Sequence, residues 1–107
     1  MEENNKNENI RKEVKEVMSK VVRVDNMTGN SGNSIPNQFE IQGDNFRLFQ
    51  SYRSPIAMFY KGKTFIFRDW DYSNTTGKYR NMFLNEDKKT TLSKLKSGEY
   101  ISVDFEV

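Results

Sequence analysis

The strongest constraint on the fold of this chain is a pair of short runs, Ile56–Tyr60 and Thr64–Asp69, flanking Lys61-Gly62-Lys63. Ile-Ala-Met-Phe-Tyr and Thr-Phe-Ile-Phe are apolar at consecutive rather than alternate positions. Successive side chains of a strand point to opposite faces, so such runs must be covered on both sides. Gly62 supplies the positive φ that a tight hairpin needs. Two central strands sandwiched between other layers are therefore expected.

Other elements assemble around that hairpin. Gln38–Gln42 and Phe46–Tyr52 flank the turn Gly43-Asp44-Asn45 and predict a second hairpin. Upstream, Ile10, Val14, Val17, Met18 and Val21 form one helical stripe, with Arg11, Lys12, Glu13, Lys15 and Glu16 on the other faces. The β-branched run Val21-Val22-Arg23-Val24 hands the helix over to a strand. Residues 26–37 are rich in Asn, Gly and Ser and predict a loop. Within it, Gly29-Asn30-Ser31-Gly32 offers backbone N–H groups to a phosphate, but the Lys-Ser/Thr of a P-loop is absent, and a surface connection is expected.

Residues 71–76 are turn and N-cap material leading into a helix over Gly77–Asn85, with Tyr79, Met82 and Phe83 on one face. Glu86-Asp87 opens a second helix with Leu92 and Leu95 inward, Lys94 and Lys96 at its negative end and Gly98 as its stop. From Tyr100 to Val107 the pattern alternates. Ile101, Val103, Phe105 and Val107 face one way and Ser102, Asp104 and Glu106 the other, as in a half-buried edge strand. Residues 1–8, almost all Asn, Glu and Lys, predict a frayed leader ahead of a single domain over 9–107. The expected class is α+β: an N-terminal helix, a largely antiparallel sheet of five or six strands, and two short helices before the last strand.

Composition bears on chemistry more than on fold. The 107 residues include no cysteine and no histidine. That removes thiolate and imidazole metal ligands and the commonest proton carrier, and it predicts a protein that binds rather than catalyses, with no cofactor and no metal. No apolar run approaches the roughly 18 residues of a membrane helix, and the acidic start lacks the basic-then-apolar order of a signal peptide. A cytoplasmic protein without membrane contact is expected, as monomer or homodimer. A close acid pair in a segment expected to be ordered, Asp69 and Asp71, could hold Mg²⁺ at strand spacing if a third acid such as Asp44 joined it. Otherwise these acids pair with Arg68 or Lys78.

Between Asp44 and Gly98 stand eleven Lys/Arg against five Asp/Glu, interleaved with aromatics. Cations on phosphates and rings under bases are how single-stranded nucleic acid is held, whereas aromatics on two-faced strands are core. Phe59, Phe65 and Phe67 are therefore assigned to the interior. The candidate surface contacts are Arg47, Arg53, Arg68, Trp70, Tyr72, Lys78, Tyr79 and Arg80.

Three segments carry a resemblance: residues 32–39 (Gly-Asn-Ser-Ile-Pro-Asn-Gln-Phe); Phe49-Gln-Ser-Tyr52 with Ile56-Ala57; and residues 70–84, Trp-Asp-Tyr-Ser-Asn-Thr-Thr-Gly-Lys-Tyr-Arg-Asn-Met-Phe-Leu. Together they make the chain similar to a group of small uncharacterised proteins encoded by tailed phages and prophages, over about residues 21–100. The resemblance implies a phage or mobile-element setting and brings no ligand or catalytic residue with it. Small phage proteins without catalytic groups commonly act by occlusion. The expected function is that of an anti-CRISPR-like counter-defence inhibitor, bound to a host immune effector protein or ribonucleoprotein. A single-stranded nucleic-acid-binding accessory protein and a sponge for a small anionic signalling nucleotide are the alternatives.

Overall fold

The structure, a computed structural model, describes residues 2–104. Six strands form one sheet whose spatial order is the chain order: β1 (Val21–Thr28), β2 (Ser34–Gly43), β3 (Phe46–Ser51), β4 (Ser54–Tyr60), β5 (Lys63–Phe67) and β6 (Ile101–Val103). The first four pairings are antiparallel, and β6 joins β5 in parallel after α2 (Asn74–Leu84) and α3 (Lys88–Ser97). Helix α1 (Glu2–Met18) covers one face of the sheet, and α2 and α3 cover the other. This is the α+β arrangement that the sequence predicts.

The two-faced hairpin explains the layering. On β4 and β5, Met58, Phe65 and Phe67 join Val14 and Val17 of α1, while Ala57 and Ile66 join Tyr79, Phe83 and Leu84 of α2. The connecting residues Lys61 and Gly62 both have positive φ (49° and 76°), the geometry of a two-residue hairpin turn. Isolated helices are marginal in water, so α1 depends on its buried stripe, where each fully buried valine contributes roughly 1.5–3 kcal/mol. Where α1 turns into β1, Gly43 permits close approach. A Cβ there would meet the Phe46 ring and come within 2.5 Å of the Lys20 carbonyl oxygen.

Several boundaries differ from the expectation. Residues 2–8, expected to fray, are the first turns of α1; Lys6 to Asn9 are exposed, and the helix propagates outward from the packed stripe. The loop expected over residues 26–37 shrinks to 29–33, because β1 and β2 extend as a long edge hairpin. Its asparagines work within the strands: the Asn26 side chain donates to the Ile35 carbonyl at 2.9 Å, and Asn37 takes a left-handed φ of 64° inside β2.

Helix α2 begins three residues early, at Asn74, because the Ser73 hydroxyl caps it by accepting the Thr76 N–H at 3.1 Å. Its inward stripe is Thr76, Tyr79, Arg80, Phe83 and Leu84; Met82, expected on one face with Tyr79 and Phe83, is exposed while they are buried. In α3, capped by Asp87 and stopped by Gly98 at φ 83°, the inward residues are Thr91 and Leu95. Leu92 lies one residue round the helix and is exposed. The expected alternation of the last strand holds over Ile101, Ser102 and Val103; Phe105, Glu106 and Val107 lie outside the described residues.

Candidate functional site

Six of the eight candidate contacts lie at three separate places, and two are buried. Arg47, near the start of β3, bonds Glu40 of β2 and lays its guanidinium 5.4 Å from the Phe83 ring and 5.9 Å from the Phe59 ring. Lys78 projects from α2 with its ammonium 5.4 Å from the Tyr79 ring. Tyr79 itself is buried among α2 and sheet residues. Arg80 is the largest fully buried side chain, only 1% exposed. It donates to the Trp70 carbonyl at 2.8 Å, to Asp71 at 3.2 Å and to Asn81 Oδ1 at 2.9 Å, and its guanidinium lies 5.0 Å from the Trp70 ring. Neither Tyr79 nor Arg80 is available to a partner, which corrects their placement among surface contacts. The periodicity of α2 required an inward residue at position 80, and a guanidinium filled it by tying down the β5–α2 connection.

The remaining candidates, Arg53, Arg68, Trp70 and Tyr72, converge at one end of the sheet. Tyr52 and Arg53 form the two-residue connection between β3 and β4, closed by the pairing of Ser51 with Ser54. Beside it runs the segment from Arg68 to Tyr72 that leaves β5. Ser54 Oγ donates to Asp69 Oδ2 at 3.1 Å and joins the two. The buried hydroxyls of Ser51 and Thr76, 2.9 Å apart, seat the start of α2 on the same corner. Arg53 and Arg68 are exposed and make no ion pair among the described residues. Trp70 is half-buried, and Tyr72 is 51% exposed.

Tyr52, which was not among the candidates, completes this corner. It is 49% exposed and holds a left-handed φ of 55°. Its N–H donates at 2.7 Å to the carbonyl of Asn37, the other left-handed residue at this end. Bulky side chains are rare at positive φ, and such positions persist only where the surroundings enforce them. The signal was present in the sequence: a two-residue connection asks for Gly or Asn, and this one has Tyr-Arg.

The acids do not assemble. Asp69 is taken by Ser54, and Asp71 pairs with Arg80 and with Lys88 at 2.6 Å. Burial pushes the Asp71 carboxyl up, but hydrogen bonds from Lys88 and Arg80 outweigh it and hold the group below its ordinary value. Asp44, the proposed third ligand, sits in the β2–β3 turn at the opposite end of the sheet. Among the described residues no three acidic side chains are grouped to hold a metal ion. The Gly29–Gly32 segment is likewise engaged as a turn: the Gly32 N–H donates to the Gly29 carbonyl at 3.0 Å and the Gly29 N–H to that of Asn33 at 2.9 Å. No helix among the described residues is long and apolar enough to cross a membrane.

Residues 22–99 match a family of unknown function, DUF8033. The chain belongs to that family. The matched span holds nearly all of β1, all of β2–β5, and the two helices α2 and α3, so the Tyr52–Arg53 and Arg68–Tyr72 corner lies inside it. Helix α1 and strand β6 lie outside it. No curated protein and no solved structure matches the chain.

Proposed function

We propose that this chain is a phage-encoded counter-defence protein that works in the host cytoplasm by binding an immune effector such as a CRISPR complex, without catalysis of its own. The observation that carries the reading is the corner where Arg53 and Arg68, exposed and in no ion pair among the described residues, share one end of the sheet with the half-exposed rings of Tyr52 and Tyr72. Interfaces concentrate their energy in arginine, tyrosine and tryptophan, and an arginine with no partner of its own is ready for an acidic or phosphate group. The short size, the lack of histidine and cysteine, and the likeness to small phage proteins support a role in occlusion. Helices on both faces of the central strands bury Phe49, Phe65 and Phe67, so these rings are closed to bases and a protein surface is the favoured target.

The test combines plasmid interference in CRISPR-active host cells with purification of the effector complex. The wild-type chain should protect the plasmid and co-purify with the complex. The double variant Arg53→Ala/Arg68→Ala should lose both, because truncation at a hot spot costs about 2 kcal/mol or more, roughly 30-fold in affinity. Failure to protect, together with steeply salt-dependent binding of a bare oligonucleotide, would reject the inhibitor in favour of a nucleic-acid binder.

A further inference from the structure

The sheet has two edges, and they differ in how they are guarded. β6 is three residues long and is followed by exposed Asp104. β1 is eight residues long and contains neither lysine nor proline, the usual blocks to further pairing. Register shifts between Val21 and Arg23 and between Asn26 and Thr28 leave a regular stretch over Arg23–Asn26. Val24 sits opposite buried Ile41, on the face that α1 covers, yet it is 56% exposed, and no described side chain of β1 belongs to the cluster under α1. Arg23 and Asp25, on the other face, pair with each other across the intervening residue, with no further ion pair among the described residues, and stay largely exposed.

We propose that the β1 edge pairs with the β1 edge of a second copy of this chain, antiparallel and centred on Val24, joining two six-stranded sheets into one. The register follows from symmetry and charge. A two-fold axis perpendicular to the sheet keeps each face on its own side, so the axis must pass beside a residue that meets its own counterpart. Centring on Arg23 or on Asp25 sets like charges directly opposite, which destabilises a strand pair. Centring on Asn26 runs the pairing across the shift before Thr28 and sets Asp25 against Met27 of the partner subunit. Centring on Val24 places Arg23 against Asp25 of the partner subunit twice over and covers each exposed valine with the other. The self-complementary order Arg-Val-Asp makes a second copy the occupant that this edge fits.

Sedimentation of the full chain across a concentration series tests the proposal, with circular dichroism confirming that each variant folds. Wild type should show a reversible monomer–dimer equilibrium, and Val24→Lys, which sets two ammonium groups face to face, should be monomeric throughout. Arg23→Asp and Asp25→Arg should each be monomeric alone and should form a heterodimer when mixed, because the mixture restores opposite charges at both crossings. A wild type that is monomeric at every concentration would overturn the proposal. So would a dimer that survives Val24→Lys, or single-charge variants that do not associate on mixing.

Discussion

The guanidinium of Arg80 holds the backbone of Trp70 and stacks on its ring at once, donating to the Trp70 carbonyl at 2.8 Å from a centroid distance of 5.0 Å. A buried arginine in these bonds anchors the connection that carries Arg68 and Tyr72. Its removal takes the side-chain donor from the Trp70 carbonyl and one of the two cationic partners from Asp71, which keeps Lys88. Arg80→Ala is expected to cost about 3 kcal/mol, read as a lower urea midpoint at unchanged m-value. Arg80→Lys should recover only part of this, since an ammonium neither forks nor stacks in the same way.

Tyr52 lets stability be tested apart from the proposed binding. A non-glycine residue in the left-handed region costs roughly 1–2 kcal/mol, and asparagine tolerates it far better than tyrosine. Tyr52→Asn is expected to raise unfolding stability by about 0.5–1 kcal/mol in urea titration while weakening capture of the effector. A variant that loses stability would show that the ring packs more than it reaches out.

The Glu86 carboxylate gathers three donors, Thr91 Oγ1 and Tyr100 Oη at 2.6 Å each and Lys94 Nζ at 3.0 Å, and so ties α3 to the start of β6. Burial pushes Glu86 up, but the bonds from Thr91, Tyr100 and Lys94 hold it below its ordinary value. Its stabilisation is therefore present above the unfolded glutamate pKa and is lost as pH falls through the lower folded value. At the other limit, burial and the Glu86 bond push Tyr100 up to about 12. That contribution is complete below the ordinary tyrosine value and disappears as pH rises towards 12. Thermal unfolding scanned over pH should fall away in both windows, and Glu86→Gln should flatten the acid limb.

Much of this architecture can be read from residue order. The two-faced runs of β4 and β5, the stripe of α1 and the caps Asp87 and Gly98 state their positions through periodicity and backbone preference, and the strands and helices follow. The β1–β2 hairpin is less legible because Asn, Gly and Ser spell loop locally, whereas pairing with β1, which sets Thr28 against Ser34, carries β2 beyond the Gln38–Gln42 stretch that β3 pairs. The corner of Tyr52, Arg53, Arg68 and Tyr72 was half legible. Residue types mark its arginines and Tyr72, but burial decides which neighbours remain at the surface. Only α2 packing shows that Arg80 faces inward. Gln38, buried with its side-chain amide unpartnered among the described residues, carries no sequence signal of that burial beyond its place in a strand.

A sheet whose spatial order repeats its chain order also sets how the molecule folds and comes apart. Each antiparallel pairing joins neighbours along the chain, so the first five strands can zip one after another with little loop-closure cost. The expensive closures are the two that bring distant sequence together: α1 laid across the finished sheet, and β6 threaded beside β5. Both end in one apolar cluster, where Val14 and Val17 meet Val103. The first and last elements thus act as the two halves of a clasp, and release of either one loosens the core that the other holds shut.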